Sequence, residues 1–350
     1  MKNTTAKMSC LSSRIGGNHM RTSLSSLCGS FIENRDLVKS AFAWESSYLY
    51  PVCAAIFIDR RRKADIDRLE YCKKLLKAHT GVFSNFRSTA RLSMIAMMAV
   101  DSDPERKLAR ALQVHDALKE HFWGSPYLPV ASMIIADMAE PGRYGEIAAR
   151  TRHIYELMKN EHPFLTSGED SVFAAMLALS DLPDGQIAEE TEHCYRLLKP
   201  EFFSGNAVQS LSHVLALCEG RAEDKCRAVV ELYGGLKAKG YQYGTDYELA
   251  ILGVPATLPA DRIAVMTDIM EVDDFLAGQK GYGFFGVGRK QRLMHAGMIV
   301  TSDYIGQSGA MQTAAIGGTI SLIAAQQAAM CAAIVAASAA AAAGSGSGGN

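Results

Sequence analysis

The chain has 350 residues, of which 48% are hydrophobic and 21% are charged, and its formal net charge is -1 at pH 7. This composition is typical of a soluble globular protein that is long enough to bury a full hydrophobic core. The near-neutral charge argues against a protein that binds nucleic acid by neutralising many phosphates. We therefore expect no nucleic-acid partner.

The first 30 residues carry four basic side chains and no acidic one. They are rich in Ser and lack the apolar stretch of roughly 7–15 residues that a secretory signal needs. We predict a disordered basic extension over residues 1–30; an organelle transit peptide and a start codon placed too far upstream are the alternatives. The eight Cys include no CxxC pair, which is typical of free thiols in a reducing cytosol, so we predict a cytoplasmic protein.

A dipeptide of Leu or Met followed by Lys recurs at intervals of about 40 residues. It occurs at Leu76-Lys77, Leu118-Lys119, Met158-Lys159, Leu198-Lys199 and Leu236-Lys237, and Leu276-Ala277 continues the series. The residues one, five and eight places before each of these Lys residues lie on one face of a helix, and most of them are apolar. Cys72 and Cys194 belong to this column, so we predict that both are buried.

A loop that carries an aromatic residue follows each of these helices, and a more apolar helix comes next. The loop aromatics are Phe83, Phe122, Phe164, Phe202, Tyr241 and Tyr282. Asp103 and Pro104 have the form of an N-cap followed by Pro at the first helical position. Residues 166–169 and 245–248 have the spacing of a capping box. Each unit is therefore a helical hairpin, and hairpins must stack because one alone cannot bury both faces.

We predict an all-α fold, a helical-hairpin repeat solenoid of about six units with capping helices. The units cover residues 46–288 within a repeat domain of residues 31–303, and the first capping helix is predicted over residues 36–44. A closed α/α toroid is the alternative, because six or so hairpins are enough to return to their starting point.

The most distinctive segment is the glycine-rich stretch of residues 278–288, which three basic residues follow. Its G-x-G-x-x-G spacing matches a dinucleotide-binding turn, but that motif must follow a strand and this one follows a helix. An ordinary loop between units, with Phe284 and Phe285 in the core, is one interpretation. The other is an anion site at a helix start, with the ligands Gly281, Gly283, Gly286, Gly288, Arg289, Lys290 and Arg292.

The remaining polar residues show no catalytic or metal-binding pattern, so we predict no catalytic residue, no metal and no cofactor. His153 and His193 hold the same place in successive units; a packed or solvated position explains this better than a metal site does. The basic run of residues 60–63 is predicted to be a solvated turn, with a nucleic-acid patch as the alternative.

The C-terminal part of the chain is rich in Ala and has no charged residue after Asp303. It is long enough to span a bilayer, but it contains few of the Leu, Ile and Phe residues that drive insertion. Since Ala is the best helix former, we predict a helical cap over residues 304–343 that closes the last repeat. Residues 344–350 are predicted to be a flexible Gly/Ser tail, and a membrane anchor is the alternative.

Three stretches carry a resemblance to a known family: residues 83–87, residues 283–294 and the Ala-rich C-terminus. Together they resemble an uncharacterised bacterial family, the domain of unknown function numbered four-thousand-and-three, over residues 31–343. The resemblance implies an all-helical cytoplasmic protein, and it transfers no catalytic residue.

Two functions remain open from the sequence. The first is a non-enzymatic helical-repeat scaffold whose concave surface binds a protein or peptide partner, by analogy with other solenoids. The second is a small-anion or nucleotide-binding protein, or an enzyme, that uses the glycine-rich loop of residues 278–292.

Overall fold

The computed structural model describes residues 20–82, 84–283, 286–308 and 329–336, and these residues form α-helices joined by short loops, with no β-strand among them. The all-α prediction is confirmed. The helices are α1 (Thr22–Ala41), α2 (Leu49–Asp59), α3 (Ile66–His79), α4 (Arg91–Ala99), α5 (Pro104–Lys119), α6 (Leu128–Met138), α7 (Tyr144–Glu161), α8 (Asp170–Ala178), α9 (Asp184–Leu198), α10 (Gly205–Ala216), α11 (Ala222–Ala238), α12 (Glu248–Ala256), α13 (Arg262–Ala277), α14 (Arg289–Ser308) and α15 (residues 329–336).

The helices from α1 to α14 alternate between an outer and an inner layer. The odd-numbered outer helices are amphipathic; α3, for example, buries only Leu69, Cys72 and Leu76. The even-numbered inner helices have almost no exposed face, and every residue of α8 and α12 is buried. This division follows from the sequence, because a helix that is apolar on all sides must lie in the core. Cys72 and Cys194 are both buried, as predicted.

Each inner helix packs on the next one along the chain, from α2 through to α14, and α14 packs in turn on α2 and α1. Polar contacts join the two ends of the series: the Ser302 hydroxyl donates to the Asp59 carboxylate, and the Arg61 guanidinium donates to the Ser302 carbonyl at 2.7 Å. An open solenoid would keep its first and last units apart. The packing of α14 therefore favours the closed alternative.

The structure places two predicted boundaries differently. Helix α1 begins at Thr22, inside the predicted extension, because Leu24, Leu27 and Cys28 pack into the core. Helix α14 continues through Tyr304 to Ser308, past the predicted boundary at residue 303. Residues 1–19, 309–328 and 337–350, which hold the rest of the predicted extension, cap and tail, lie outside the described residues.

Helix α15 lies beside the first three inner helices, whereas the C-terminal cap was predicted to close the last repeat. Met330 and Cys331 line one pocket together with Ile56 of α2, Met97 of α4 and Ile134 of α6. Residues 329–335 are all buried. Helix α15 thus covers apolar side chains of α2, α4 and α6, which lie far from it in the sequence. Among the described residues, none of the helices has the length and apolar character needed to cross a membrane.

The predicted helix starts were right at α5 and shifted at α8. Asp103 caps α5 by accepting from the Arg106 N–H at 2.9 Å, and Pro104 holds the first helical position. At α8 the N-cap is Glu169 rather than the predicted Thr166, so the helix begins three residues later than the capping box predicts. The Asp170 carboxylate accepts from the Ser167 N–H at 2.8 Å. Thr166 donates to the Met158 carbonyl instead of capping α8.

Candidate functional site

One end of the molecule is formed by the loops that run from each outer helix to the next inner helix. We name this end the loop rim; its loops are residues 42–48, 80–90, 120–127, 162–169, 199–204, 239–247 and 278–288. Neighbouring loops touch: the Asn85 side chain donates to the Ser125 carbonyl at 3.1 Å, and the Gln209 side chain of α10 donates to the Thr166 hydroxyl at 2.8 Å. These contacts hold the loops of residues 80–90, 120–127 and 162–169 in place.

Four aromatic side chains of the loop rim project into solvent. Trp44 is 100% exposed, Trp123 96%, Phe164 99% and Phe203 99%. Phe and Trp side chains are ordinarily among the most buried in a folded protein, because each covers a large apolar area. Four of them at matching places in different loops form the most unusual feature of the described surface.

In three of these loops a neighbouring aromatic residue or His anchors the loop. Phe122 packs edge-to-face on Tyr155 of the next outer helix at 5.5 Å between ring centroids, and Phe202 packs on Tyr233 in the same way at 5.1 Å. In the loop between them His162 takes this place, with its ring 4.2 Å from that of Tyr195. With the anchor fixed, the residue one or two places later points outward.

The sequence analysis treated the loop aromatics as one class, and the structure divides them. Phe122, Phe202 and Tyr282 are buried, whereas Phe164 is exposed. Phe83 lies outside the described residues. The exposed Trp44, Trp123 and Phe203 were missed. A signal was available, since two loops carry adjacent aromatics at residues 122–123 and 202–203, and only one of each pair can serve as the anchor.

The glycine-rich loop also lies on the loop rim, and its backbone needs glycine. Gly281 and Gly283 have φ angles of +94° and +124°, a region that other residues rarely adopt. A Cβ atom on Gly286 would lie 2.1 Å from the Gly281 carbonyl oxygen. The turn is closed by internal hydrogen bonds: the Gly283 N–H donates to the Val287 carbonyl at 3.2 Å, and the Val287 N–H donates to the Gly281 carbonyl at 2.9 Å.

Several donors predicted for an anion are engaged within the chain. The Gly286 N–H donates to the Gly283 carbonyl, and the Gly288 N–H donates to the Gln291 side chain at 3.2 Å. Arg292 donates twice to the Asp273 carboxylate, at 2.8 and 2.7 Å, and this pairing raises the pKa of Arg292. Arg289 and Lys290 are exposed. Phe284 and Phe285, predicted in the alternative to fill the core, lie outside the described residues.

Two cations of α1 also lie beside the glycine turn. A cleft of about 380 Å³ beside Gly281 is lined by Arg35 and Lys39 of α1 and by Lys280, with Asp36 as its acid. The Arg35 guanidinium lies 5.5 Å from the centre of the Tyr282 ring. The Tyr282 hydroxyl lies 3.1 Å from Nδ1 of His295, whose pKa burial lowers to about 3.

The opposite end of the molecule consists of the turns that lead from each inner helix to the next outer helix. We name it the turn face; its turns are residues 60–65, 100–103, 139–143, 179–183, 217–221 and 257–261. Arginines of the outer helices donate to the last carbonyls of the inner helices there. Arg68 donates to Ala99 at 2.7 Å, Arg110 donates to Ala139, and Arg150 donates to Ala178 at 3.0 Å.

These contacts satisfy carbonyls that have no partner within their own helix, and they place a cation at the negative end of the helix dipole. The sequence analysis missed the three arginines. Each stands nine places before the Lys of its helix, at positions 68, 110 and 150. That column was the available signal.

Comparisons with known proteins find a family of unknown function and one distant relative. A family model described as "Protein of unknown function (DUF4003)" matches residues 34–328, which is most of the chain. The uncharacterized protein YeaA of Bacillus subtilis (strain 168) is 23% identical over 309 residues, covering 82% of this chain and 92% of that relative. No solved structure matches the chain.

Proposed function

This chain belongs to the DUF4003 family, and we propose that it is a non-enzymatic binding protein whose helical hairpins close into an α/α ring and whose loop rim docks a protein partner. The observation that carries the proposal is the exposure of Trp44, Trp123, Phe164 and Phe203. Burying one such side chain against a partner contributes roughly 1.5–3 kcal/mol. Trp is also among the residues most enriched at binding hot spots.

The loop rim is a better docking surface than the predicted concave face. A concave groove would need an accessible apolar side on the inner helices, and α15 covers α2, α4 and α6 where Met330 and Cys331 lie. The loop rim, by contrast, presents its apolar side chains directly to solvent. Docking there needs no movement of the helices.

The charges beside the exposed aromatics are of both signs. Lys119 and Glu120 are exposed and stand just before Trp123 in the sequence, and residues 159–161 hold an exposed Lys and an exposed Glu before Phe164. A bilayer-docking surface is normally dominated by Lys and Arg, whereas a protein surface can offer a complementary charge at each position.

Affinity capture from the native host tests the proposal. The bait is the full chain, compared with a variant that carries Trp44→Ser, Trp123→Ser, Phe164→Ser and Phe203→Ser. We expect a reproducible partner that the variant loses. The matched control is Ile263→Ser, which removes an exposed apolar residue from α13 beside the turn face and should leave capture unchanged.

Two results would overturn docking of a protein at the loop rim. One is a partner that binds the four-residue variant as well as the wild type. The other is co-sedimentation with phosphatidylcholine vesicles that depends on the same four residues, which would make the loop rim a lipid-binding surface.

A second candidate function, binding of a small anion near the glycine-rich loop, is favoured by the three cations beside Gly281. Pyrophosphate should then raise the thermal unfolding temperature of the wild type, and Lys39→Ala with Lys280→Ala should reduce that increase. Both side chains are at the surface, so these substitutions should not disturb the fold. An increase of unchanged size in this double variant would place the anion elsewhere.

A further inference from the structure

A cationic cleft lies at the turn face, where the turns after α2, α4 and α6 meet. It has a volume of about 460 Å³ and is lined by Arg60, Arg62, Arg106, Lys107 and Arg110. Two carboxylates, those of Asp101 and Asp137, are the acids in its lining. The cleft therefore has an excess of positive charge in a protein whose formal net charge is -1.

Two of the five cations are already engaged as parts of the fold. The Lys107 side chain is only 2% exposed, pairs with Asp137, and donates to the Met133 carbonyl at 2.9 Å. Arg110 donates to the Ala139 carbonyl and, at 2.7 Å, to the Tyr144 hydroxyl. These contacts close the C-terminal end of α6, so neither side chain is available to hold a ligand by itself.

The other three cations are exposed and weakly paired. Arg60 lies 3.5 Å from Asp137, a carboxylate that Lys107 already occupies. The carboxylate nearest to Arg106 is that of Asp103, at 3.9 Å. Arg62 forms no ion pair with any residue that the structure describes. Three guanidinium groups thus surround one cleft and keep most of their donors free.

The backbone explains how Arg60 and Arg62 come to line the same cleft. Arg61 between them has a φ angle of +51°, the left-handed region, and no other non-glycine residue in the described ranges does. Its guanidinium leaves the cleft and donates to the Ser302 carbonyl of α14. Left-handed backbone at a residue with a Cβ is strained, and such strain persists where the surrounding structure enforces it, most often at functional sites.

The fold itself does not require this excess of cations. A second cleft at the turn face, between the helix pairs that follow, is lined by Asp181, Glu190 and Glu219 with Lys225 as its cation. Lys225 closes the end of α10 there, donating to the Leu215 carbonyl at 2.7 Å, as Lys107 does for α6. The second cleft satisfies the helix end with one Lys. Arg60, Arg62 and Arg106 are additional to that need.

We propose that the cationic cleft is a binding site for a small molecule that carries two or more phosphate groups, held by Arg60, Arg62 and Arg106. Guanidinium groups present paired N–H donors that match phosphate oxygens. A multivalent anion can contact all three at once, and the fixed Lys107 and Arg110 add to the positive potential around it. Inorganic pyrophosphate and nucleotides share this chemistry.

Isothermal titration of the full chain tests the site, with pyrophosphate, ATP and AMP as separate probes. We expect pyrophosphate to bind the wild type. The double variant Arg62→Ala with Arg106→Ala should bind pyrophosphate with an affinity that is lower by about tenfold or more. Tighter binding of ATP than of pyrophosphate would identify a nucleotide site, and the reverse would identify a site for the phosphate groups alone. Removing Arg106 should not destabilise α5, since a cation in the first turn opposes the helix dipole.

The matched control is Arg196→Ala with Arg221→Ala, which removes two exposed arginines that line neither the cationic cleft nor the cleft beside Gly281 and should leave the affinity unchanged. The proposal is overturned if millimolar pyrophosphate and ATP do not bind the wild type. It is overturned equally if the Arg62 and Arg106 double variant binds as well as the wild type, or if the control variant is the one that loses binding.

Discussion

The turn face and the loop rim are built from the same helices, yet they use their side chains in opposite ways. At the turn face, Arg68, Arg110 and Arg150 reach across to the neighbouring inner helix and close its end. At the loop rim, Trp123 and Phe164 extend into solvent and contribute no burial. The difference indicates that these arginines hold neighbouring helices together, whereas the exposed aromatics of the loop rim are not used by the fold and are available for the docking we propose.

The division has an energetic basis. A hydrogen bond from a charged donor contributes roughly 1.5–3 kcal/mol, and a buried carbonyl left without a partner costs a similar amount. An exposed side chain without neighbours contributes almost nothing to the free energy of unfolding. The comparison can therefore be tested by measuring stability at each end of the molecule.

The largest effect is expected from removing residues 329–350, which deletes α15. Burial of Met330, Ile334 and Val335 is lost, and at roughly 1.5–3 kcal/mol for each side chain the free energy of unfolding should fall by about 5 kcal/mol. Urea unfolding followed by circular dichroism measures this change.

The same truncation should also expose apolar surface. Fluorescence of an apolar dye should rise as Ile56, Met97 and Ile134 become accessible. Removing residues 344–350 alone is the control, and an equal loss there would contradict the role of α15.

A smaller loss is expected for Arg150→Ala at the turn face. Arg150 donates to the carbonyls of Ala178, Ser180 and Leu182 and pairs with Asp184 at 2.7 Å. Losing these contacts should lower the free energy of unfolding by about 3 kcal/mol. Arg196→Ala removes an exposed arginine that, within the described ranges, pairs with Glu192 alone. It should change the free energy of unfolding by less than about 0.5 kcal/mol. Similar losses in both variants would mean that the capping contacts contribute no more than surface ion pairs do.

The features that were predictable from the sequence are those set by local chemistry. The period of apolar residues predicts the outer helices and the burial of Cys72 and Cys194, and Asp103 with Pro104 marks the start of α5. Contacts between distant segments leave no such period. The position of α15 against α2, α4 and α6 depends on packing across most of the chain, and so does the contact between Ser302 and Asp59.

The loop rim was only half predictable for a related reason. The aromatic residues are visible in the sequence, but whether one of them is an anchor depends on a partner in the next helix, such as Tyr155 for Phe122. The glycine-rich loop shows the same limit. Its glycines indicate an unusual turn, whereas the pairing of Arg292 with Asp273 is evident only once α13 and α14 are packed together.

A change in pH should affect one buried carboxyl beside the loop rim. Burial raises the pKa of Asp170 at the start of α8 to about 7. The hydrogen bond from the Ser167 N–H favours the charged form and opposes this increase, but burial has the larger effect. The folded state thus keeps a proton that the unfolded chain loses near pH 4, so stability from this group falls as pH rises from about 4 to 7.

Asp170→Asn removes this dependence. The difference in free energy of unfolding between the variant and the wild type should shift in favour of the variant as pH rises from about 4 to 7. Above that range the difference should stay constant. Unfolding in urea at a series of pH values measures the difference. The exposed Asp181→Asn variant should keep the slope of the wild type. A parallel shift of Asp170→Asn at all pH values would show that Asp170 is charged in the folded protein.

The smallest effect is expected for the exposed Trp123, and its buried neighbour Phe122 provides the comparison. Phe122 is buried against Tyr155, so Phe122→Ala should lower the free energy of unfolding by about 3 kcal/mol. Trp123 has no such contact, and Trp123→Ala should change it by less than about 0.5 kcal/mol. Thermal unfolding of the two variants, measured side by side, separates anchor from exposed residue within one loop. If Trp123→Ala lowers the free energy of unfolding as much as Phe122→Ala does, the exposed aromatics stabilise the fold. Their exposure would then no longer support a separate role in recognition.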